Sequence, residues 1–163
     1  MKKIIFVLMI ILISRSISAQ YFERSETYYR YKIVSYIDSF FSNVSLAKKK
    51  RAIDLIPEIL RVGKKYNVCP IMITITISHE SSFKSDVVGA IGEIGLMQVH
   101  GVAAKGFNLK KVRDQLEAGT RTLKMGLQRC DDVQEVFNYY MTGNCNVATG
   151  GSKRRYKIYQ NWK

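Results

Sequence analysis

Apolar residues recur at helical spacing over most of the chain, which predicts a mainly α-helical protein. The first stripe has the i, i+3, i+4, i+7, i+8 spacing and consists of Ile33, Tyr36, Ile37, Phe40 and Phe41. Two later stripes have a similar period and consist of Val112, Leu116, Gly119, Leu123 and Leu127, and of Val133, Val136, Phe137, Tyr140 and Met141. Asp131 or Asp132 is the predicted N-cap of the last of these. Pro57 breaks or begins a further helix that reaches about Lys65.

Residues 71–78 conflict with this helical pattern. Isoleucine occupies every second position of the segment, as in a half-buried strand. Pro70, however, suits the first position of a helix, and the absence of charge before His79 is equally typical of a buried helix. Periodicity alone leaves both structures open.

Two glycine-bearing segments are predicted to be loops between the helices. Five glycines between residues 84 and 108 predict a convoluted loop with short helices at most. Residues 143–152 form a second polar, glycine-bearing loop, and the basic, aromatic segment 153–163 is a candidate last helix.

The N-terminus has the pattern of a secretory signal peptide over residues 1–19. Lys2 and Lys3 precede an apolar run over residues 4–13, and small residues at 16–19 offer a cleavage site. An uncleaved anchor is the alternative, but ten apolar residues fall short of the roughly 20 that a membrane span requires. We therefore predict export to the periplasm or cell envelope, with no stable membrane span after cleavage.

The length of 163 residues suits one domain, and the formal net charge of +13 favours polyanionic partners. For an exported protein these are cell-wall polymers and anionic lipids. We find no nucleic-acid-binding module and predict no nucleic-acid partner.

Three cysteines, Cys69, Cys130 and Cys145, are an odd number in a compartment where disulfides persist. One bridge and one free thiol are expected, with the pairing left open. No two cysteines or histidines stand at ligand spacing, which disfavours a zinc site.

Glu80 is the principal candidate for chemistry. Cleavage of a glycosidic bond requires a carboxylic acid that is protonated near neutral pH. Glu80 follows the uncharged run 68–78 and precedes Phe83, so apolar surroundings should raise its pKa. The simpler interpretation is a solvent-facing glutamate at the end of a helix.

Two motifs around Glu80 resemble those of the soluble lytic transglycosylase family. Residues 80–83, with the sequence Glu-Ser-Ser-Phe, precede Gly-Leu-Met-Gln at residues 95–98 by about the interval found in that family. Residues 116–123 and 139–143 resemble two further family segments. The resemblance covers roughly residues 62–143.

The resemblance implies an all-α, goose-lysozyme-like domain whose buried central helix ends at the catalytic glutamate. On this basis we predict a helix from Pro70 to about Glu80, against the local preference for a strand. The implied organisation is a signal peptide over 1–19, an N-terminal helical extension over 20–60, and a transglycosylase domain over 61–163.

The resemblance also implies a reaction and a site. Glu80 would be the single catalytic acid and base. It would cleave the bond between N-acetylmuramic acid and N-acetylglucosamine with formation of 1,6-anhydromuramoyl ends, without a metal or other cofactor. Gln98 and Tyr140 would bind substrate, although each also has a structural interpretation, in the loop and in the core. His100 follows the motif and is a further candidate for substrate binding. Family enzymes of this size often serve secretion, conjugation or phage machines, which are the implied partners.

Three positions depart from the family pattern: Met141, Gly89 and His100. These departures affect the expected shape of the substrate-binding cleft, but not the assignment of Glu80 as the catalytic acid.

Other functions remain open at this stage. A two-carboxylate hydrolase would need Asp86 or Glu93 to face Glu80, at about 5 Å for retention or about 6.5–9.5 Å for inversion. A non-catalytic wall-binding protein is a second alternative. A membrane-active toxin would need a continuous basic helical face, which the apolar stripes do not provide.

Overall fold

The computed structural model describes residues 24–163, in which eight helices form. Their bounds are α1 Glu26–Phe40, α2 Leu46–Asp54, α3 Ile56–Tyr66, α4 Pro70–Ser81, α5 Gly101–Ala104, α6 Val112–Arg129, α7 Val133–Thr142 and α8 Gly150–Trp162. The predicted signal peptide lies outside the described residues, so export stays a prediction. Within residues 24–163, no helix has the length and apolar character that a membrane span needs.

Helix α4 is the centre of the fold, and the predicted helix from Pro70 is confirmed. Pro70 stands in its first turn, and residues 71–78 are all buried. The hydroxyls of Thr74 and Thr76 each donate to the carbonyl four residues earlier at 2.8 Å. These bonds satisfy the buried hydroxyls within the helix itself. Burial on every side therefore outweighs the strand preference of the isoleucines.

Helix α1 packs directly on α4. Ile33 and Ile37 are fully buried, and the Tyr36 hydroxyl lies 2.6 Å from Ser78 Oγ. Burial raises the pKa of Tyr36 to about 12, so the phenol stays neutral at this contact. Helix α1 thus contributes to the same hydrophobic core as α4. The predicted boundary between an extension over 20–60 and a domain over 61–163 stays a prediction.

Helices α3 and α6 are joined by a cluster of charges around Glu117. Arg61 donates to Glu117 Oε1 at 3.0 Å, and Lys65 pairs with its other oxygen. Burial opposes ionisation of Glu117, but the hydrogen bonds from Lys65 and Arg61 outweigh it and lower its pKa. The cluster therefore fixes α3 against α6 through an ionised carboxylate.

One disulfide joins Cys130, after α6, to Cys145, in the loop after α7, and Cys69 is free and buried. The expectation of one bridge and one free thiol is confirmed. The bridge closes the loop around α7, and the Asn138 side chain donates to the Cys145 carbonyl at 2.7 Å. Helix α7 is consequently held at both ends.

Replacing Cys130 and Cys145 by serine should lower the free energy of unfolding by about 3 kcal/mol, because a bridge over 15 residues constrains the unfolded chain by about that amount. Urea denaturation monitored by circular dichroism measures this. A reductant should weaken the wild-type protein to a similar extent and leave the double variant unchanged. Equal stability of the two oxidised proteins would contradict the prediction.

Candidate active site

Glu80 lies in the last turn of α4, at the boundary between core and solvent. Its side chain is 20% exposed. The helix ends immediately afterwards because Ser82 and Phe83 both adopt left-handed backbone conformations, with φ of 50° and 62°. Such conformations are unfavourable for residues other than glycine, and they occur where the surrounding structure enforces them. Here the buried Phe83 ring packs on Phe40 and Phe41, which anchors the turn beside the acid.

The charges around Glu80 act in opposite directions. Burial raises the pKa of Glu80, the guanidinium of Arg155 lowers it, and the carboxylate of Glu93 raises it. The net direction is upward, so a larger share of Glu80 is protonated near neutral pH than in an exposed glutamate. This is the protonation state that a proton donor to a glycosidic oxygen requires.

Arg155 of α8 forms an ion pair with Glu80, with 2.9 Å between Nη2 and Oε1. Arg155 is 4% exposed. Sequence reasoning missed this residue because it stands in a run of cations with Lys153 and Arg154, in which nothing marks one member as buried. Its i−3 and i+4 neighbours Ser152 and Tyr159 are also buried, and that spacing is the signal that was available.

Tyr140 of α7 faces the same region. Its pKa is raised well above the usual range, first by burial and then by the charge of Glu80. Its hydroxyl donates to the Met97 carbonyl at 2.6 Å. The structure therefore brings Tyr140 close to the acid, but its proton is engaged by the loop rather than by Glu80.

The motif at residues 95–98 is held beside the acid by Ser81 and Gln115. Ser81 Oγ lies 2.9 Å from the Leu96 carbonyl oxygen. The buried Gln115 accepts from Leu96 N at 2.9 Å and donates to the carbonyls of Ser85 and Leu109. Gln115 thus connects three segments of the loop to α6. The sequence analysis did not identify this residue.

Gln98 has a structural role in this loop. Its Nε2 donates to the Gly95 carbonyl at 2.9 Å and to the Val87 carbonyl at 3.1 Å. Residue 98 has a φ of 44°, a further left-handed conformation near the acid. Its Oε1 and the Glu93 carboxylate both occupy space that a Cβ on residue 89 would need, which only glycine leaves free. Binding of substrate by Gln98 stays a prediction.

Glu93 and His100 form the outer part of the region. The backbone N–H groups of Glu93 and Ile91 lower the pKa of the Glu93 carboxyl, and the charge of His100 acts in the same direction. His100 is exposed at the start of α5 and is not among the groups that shift the pKa of Glu80. His100 thus lies near enough to Glu93 for its charge to act on that carboxyl, and a role of His100 in substrate binding stays a prediction.

The other candidate carboxylate, Asp86, lines a cavity of about 630 Å³ with Phe107 and Lys110, and the residues that line this cavity include neither Glu80 nor Tyr140. Of the two carboxylates considered with Glu80, only Glu93 influences its pKa. Among residues 24–163, no cluster of three or more histidine, cysteine, aspartate or glutamate side chains is arranged to hold a metal ion.

The fold and this site together define a helical domain that carries one half-buried acid at the end of its central helix. A family model described as the transglycosylase SLT domain matches residues 58–163. The chain belongs to this family, and its domain is an all-α, lysozyme-like domain of the lytic transglycosylase type that acts on peptidoglycan. No curated protein matches the chain, and neither does any solved structure.

Proposed function

We propose that this protein cleaves the β-1,4 bond between N-acetylmuramic acid and N-acetylglucosamine, with Glu80 as both acid and base. Glu80 gives its proton to the glycosidic oxygen as the bond to C1 breaks. The resulting carboxylate takes the proton of the muramoyl C6 hydroxyl while that oxygen bonds to C1, which leaves a 1,6-anhydromuramoyl end. Glu80 regains its proton, and the reaction consumes no water and uses no cofactor.

The observation that carries this proposal is the environment of Glu80. The carboxyl is half-buried at the end of α4, and its pKa is raised by burial despite the nearby guanidinium. A carboxyl whose pKa is raised is protonated more often near neutral pH, so it can donate a proton and, as the carboxylate, accept one in the next step. The loop between α4 and α5 that carries residues 95–98, here called the motif loop, is fixed to α4 through the bond between Ser81 and Leu96.

A lysozyme-like hydrolase is the second candidate, and Glu93 is the observation that favours it. The environments of Glu80 and Glu93 move their pKa values in opposite directions, and the charge of Glu93 contributes to the raised pKa of Glu80. Such a pair is typical of an acid that works with a permanently ionised partner. In this reaction Glu93 would activate a water molecule or stabilise the cationic transition state.

The mass of the sugars released from purified peptidoglycan separates the two reactions. The transglycosylase releases anhydromuramoyl ends, which are one water lighter than the reducing ends of a hydrolase. We expect anhydro ends from the wild type and from Glu93→Gln. If the wild type releases reducing ends and Glu93→Gln does not, the protein is a hydrolase. If the wild type binds the strands tightly and leaves them intact, it is a wall-binding protein.

We further propose that the protein acts outside the cytoplasm, where peptidoglycan lies. The apparent signal peptide at residues 1–19 and the strongly basic composition support this location. Local opening of the wall for a secretion, conjugation or phage system is the biological role that the family resemblance suggests. Signal-peptide fusion to a reporter that is active only after export tests the location.

A further inference from the structure

The ion pair between Arg155 and Glu80 is not explained by stability. Arg155 Nε and Nη1 are both buried without a hydrogen-bond partner among the described residues. Buried ion pairs are often no more stable than apolar side chains of the same volume, and unsatisfied donors add a cost. A buried cation that carries such a cost and contacts an acid suggests a role in the chemistry of that acid.

The placement of Arg155 fits such a role. It projects from α8, a helix that is separate in sequence from both α4 and the motif loop, and it reaches one oxygen of Glu80 at 2.9 Å. This contact orients the carboxyl and leaves Oε2 outside the ion pair. The positive charge also stabilises the carboxylate that exists after the proton has been transferred.

We propose that Arg155 is a positioning residue for the acid, which fixes the orientation of Glu80 and stabilises its carboxylate between the two proton transfers. This inference rests on the proposed function. In the first transfer the proton leaves Glu80 for the glycosidic oxygen, and the carboxylate remains paired with the guanidinium. In the second transfer the same carboxylate takes the C6 hydroxyl proton, so the proton count of the enzyme is unchanged over the cycle.

The groups around this pair keep a constant charge near neutral pH. On α4, burial together with Arg155 and Arg154 lowers the pKa of His79 to about 4, which keeps it neutral. Burial keeps Tyr36 of α1 and Tyr140 of α7 neutral, since both pKa values are raised. Glu93, on the loop, stays ionised because its pKa is lowered, in part by the charge of His100. A titration near neutral pH therefore does not arise from His79, Tyr36, Tyr140 or Glu93.

Replacing Arg155 by methionine tests the proposal directly. The charge that favours the carboxylate is lost, so the pKa of Glu80 should rise, and the alkaline limb of the kcat/KM profile should move upward by about one pH unit or more. Arg155→Lys should restore much of the wild-type profile. Arg154→Met is the matched control, because Arg154 is exposed and is not among the groups that act on Glu80.

A measurement without substrate keeps this inference separate from the proposed function. Nuclear magnetic resonance of protein with isotopically labelled glutamate carboxyls, assigned by comparison with Glu80→Gln, gives the pKa of Glu80 directly. We expect a higher value in Arg155→Met than in the wild type and in Arg154→Met. Equal values in the three proteins would overturn the proposal.

The wild-type protein supplies a second readout that does not depend on the folding of a variant. The guanidinium resonances of Arg155 should change with the same midpoint as the Glu80 carboxyl, because the two groups form one ion pair. Arg155 resonances that stay constant while Glu80 titrates would overturn the proposal even if Arg155→Met failed to fold.

Discussion

Glu80→Gln should lose peptidoglycan cleavage by a factor of about 10²–10⁴ or more, because general acid–base catalysis contributes that much and no second group of the described chain replaces it in our mechanism. Glutamine has nearly the same shape and can still accept a hydrogen bond from Arg155. It has no proton to give and none to take back. Release of soluble fragments from labelled peptidoglycan measures the loss.

Glu93→Gln is the matched control for this loss, since it neutralises a second carboxyl near the acid. The charge of Glu93 raises the pKa of Glu80. The substitution should therefore lower the pKa of Glu80 and move the alkaline limb of the activity profile to lower pH. Activity on the acid side of that limb should remain. A loss as large as that of Glu80→Gln would contradict the one-carboxylate mechanism and favour hydrolysis. Thermal unfolding confirms that both variants are folded.

Gly95→Ala should destabilise the fold through two separate costs. Residue 95 has a φ of +77°, a conformation that costs residues with a Cβ about 1–2 kcal/mol. The added methyl group would also overlap the side-chain amide of Gln115, and such overpacking costs about 1–3 kcal/mol. Both costs should appear in the free energy of unfolding, measured with urea.

Gly92→Ala separates the two costs. Residue 92 lies in the same loop with a φ of +89°, but a Cβ there would meet no atom within 4 Å. This variant should therefore lose only the conformational part. Gly95→Ala should also lose activity, because displacement of Gln115 frees the loop that holds Gln98. Equal destabilisation by the two variants would mean that the contact with Gln115 is unimportant.

The helical architecture could be predicted from the sequence where one stripe of apolar residues repeats, as in α1, α6 and α7. Helix α4 could not be predicted in that way. A helix that is buried on all sides has no polar face, so its isoleucines produce no helical period, and Pro70 together with the family resemblance decided the question. The buried threonines also fit a helix, because their hydroxyls donate to carbonyls of the preceding turn, but only the structure shows these bonds.

The candidate site was predictable to a different extent for each residue. Glu80 stands out locally, because an acid after a long uncharged run implies burial. Arg155 lies 75 positions from Glu80 in sequence, and Gln115 lies 19 positions from Leu96 and 30 from Ser85. Local sequence patterns do not reveal contacts over such separations. Gln98 belongs to the motif at residues 95–98, but its amide nitrogen is used within the loop, so its binding of substrate stays a prediction.

Digestion of peptidoglycan in water enriched in the heavy oxygen isotope tests most directly whether Glu80 acts alone. In the proposed reaction the C6 oxygen of the muramoyl residue closes on C1, so no oxygen from water enters the new end. We expect unlabelled anhydromuramoyl ends from the wild type and from Glu93→Gln. Heavy oxygen at C1 of the released ends would contradict the account and establish a hydrolase.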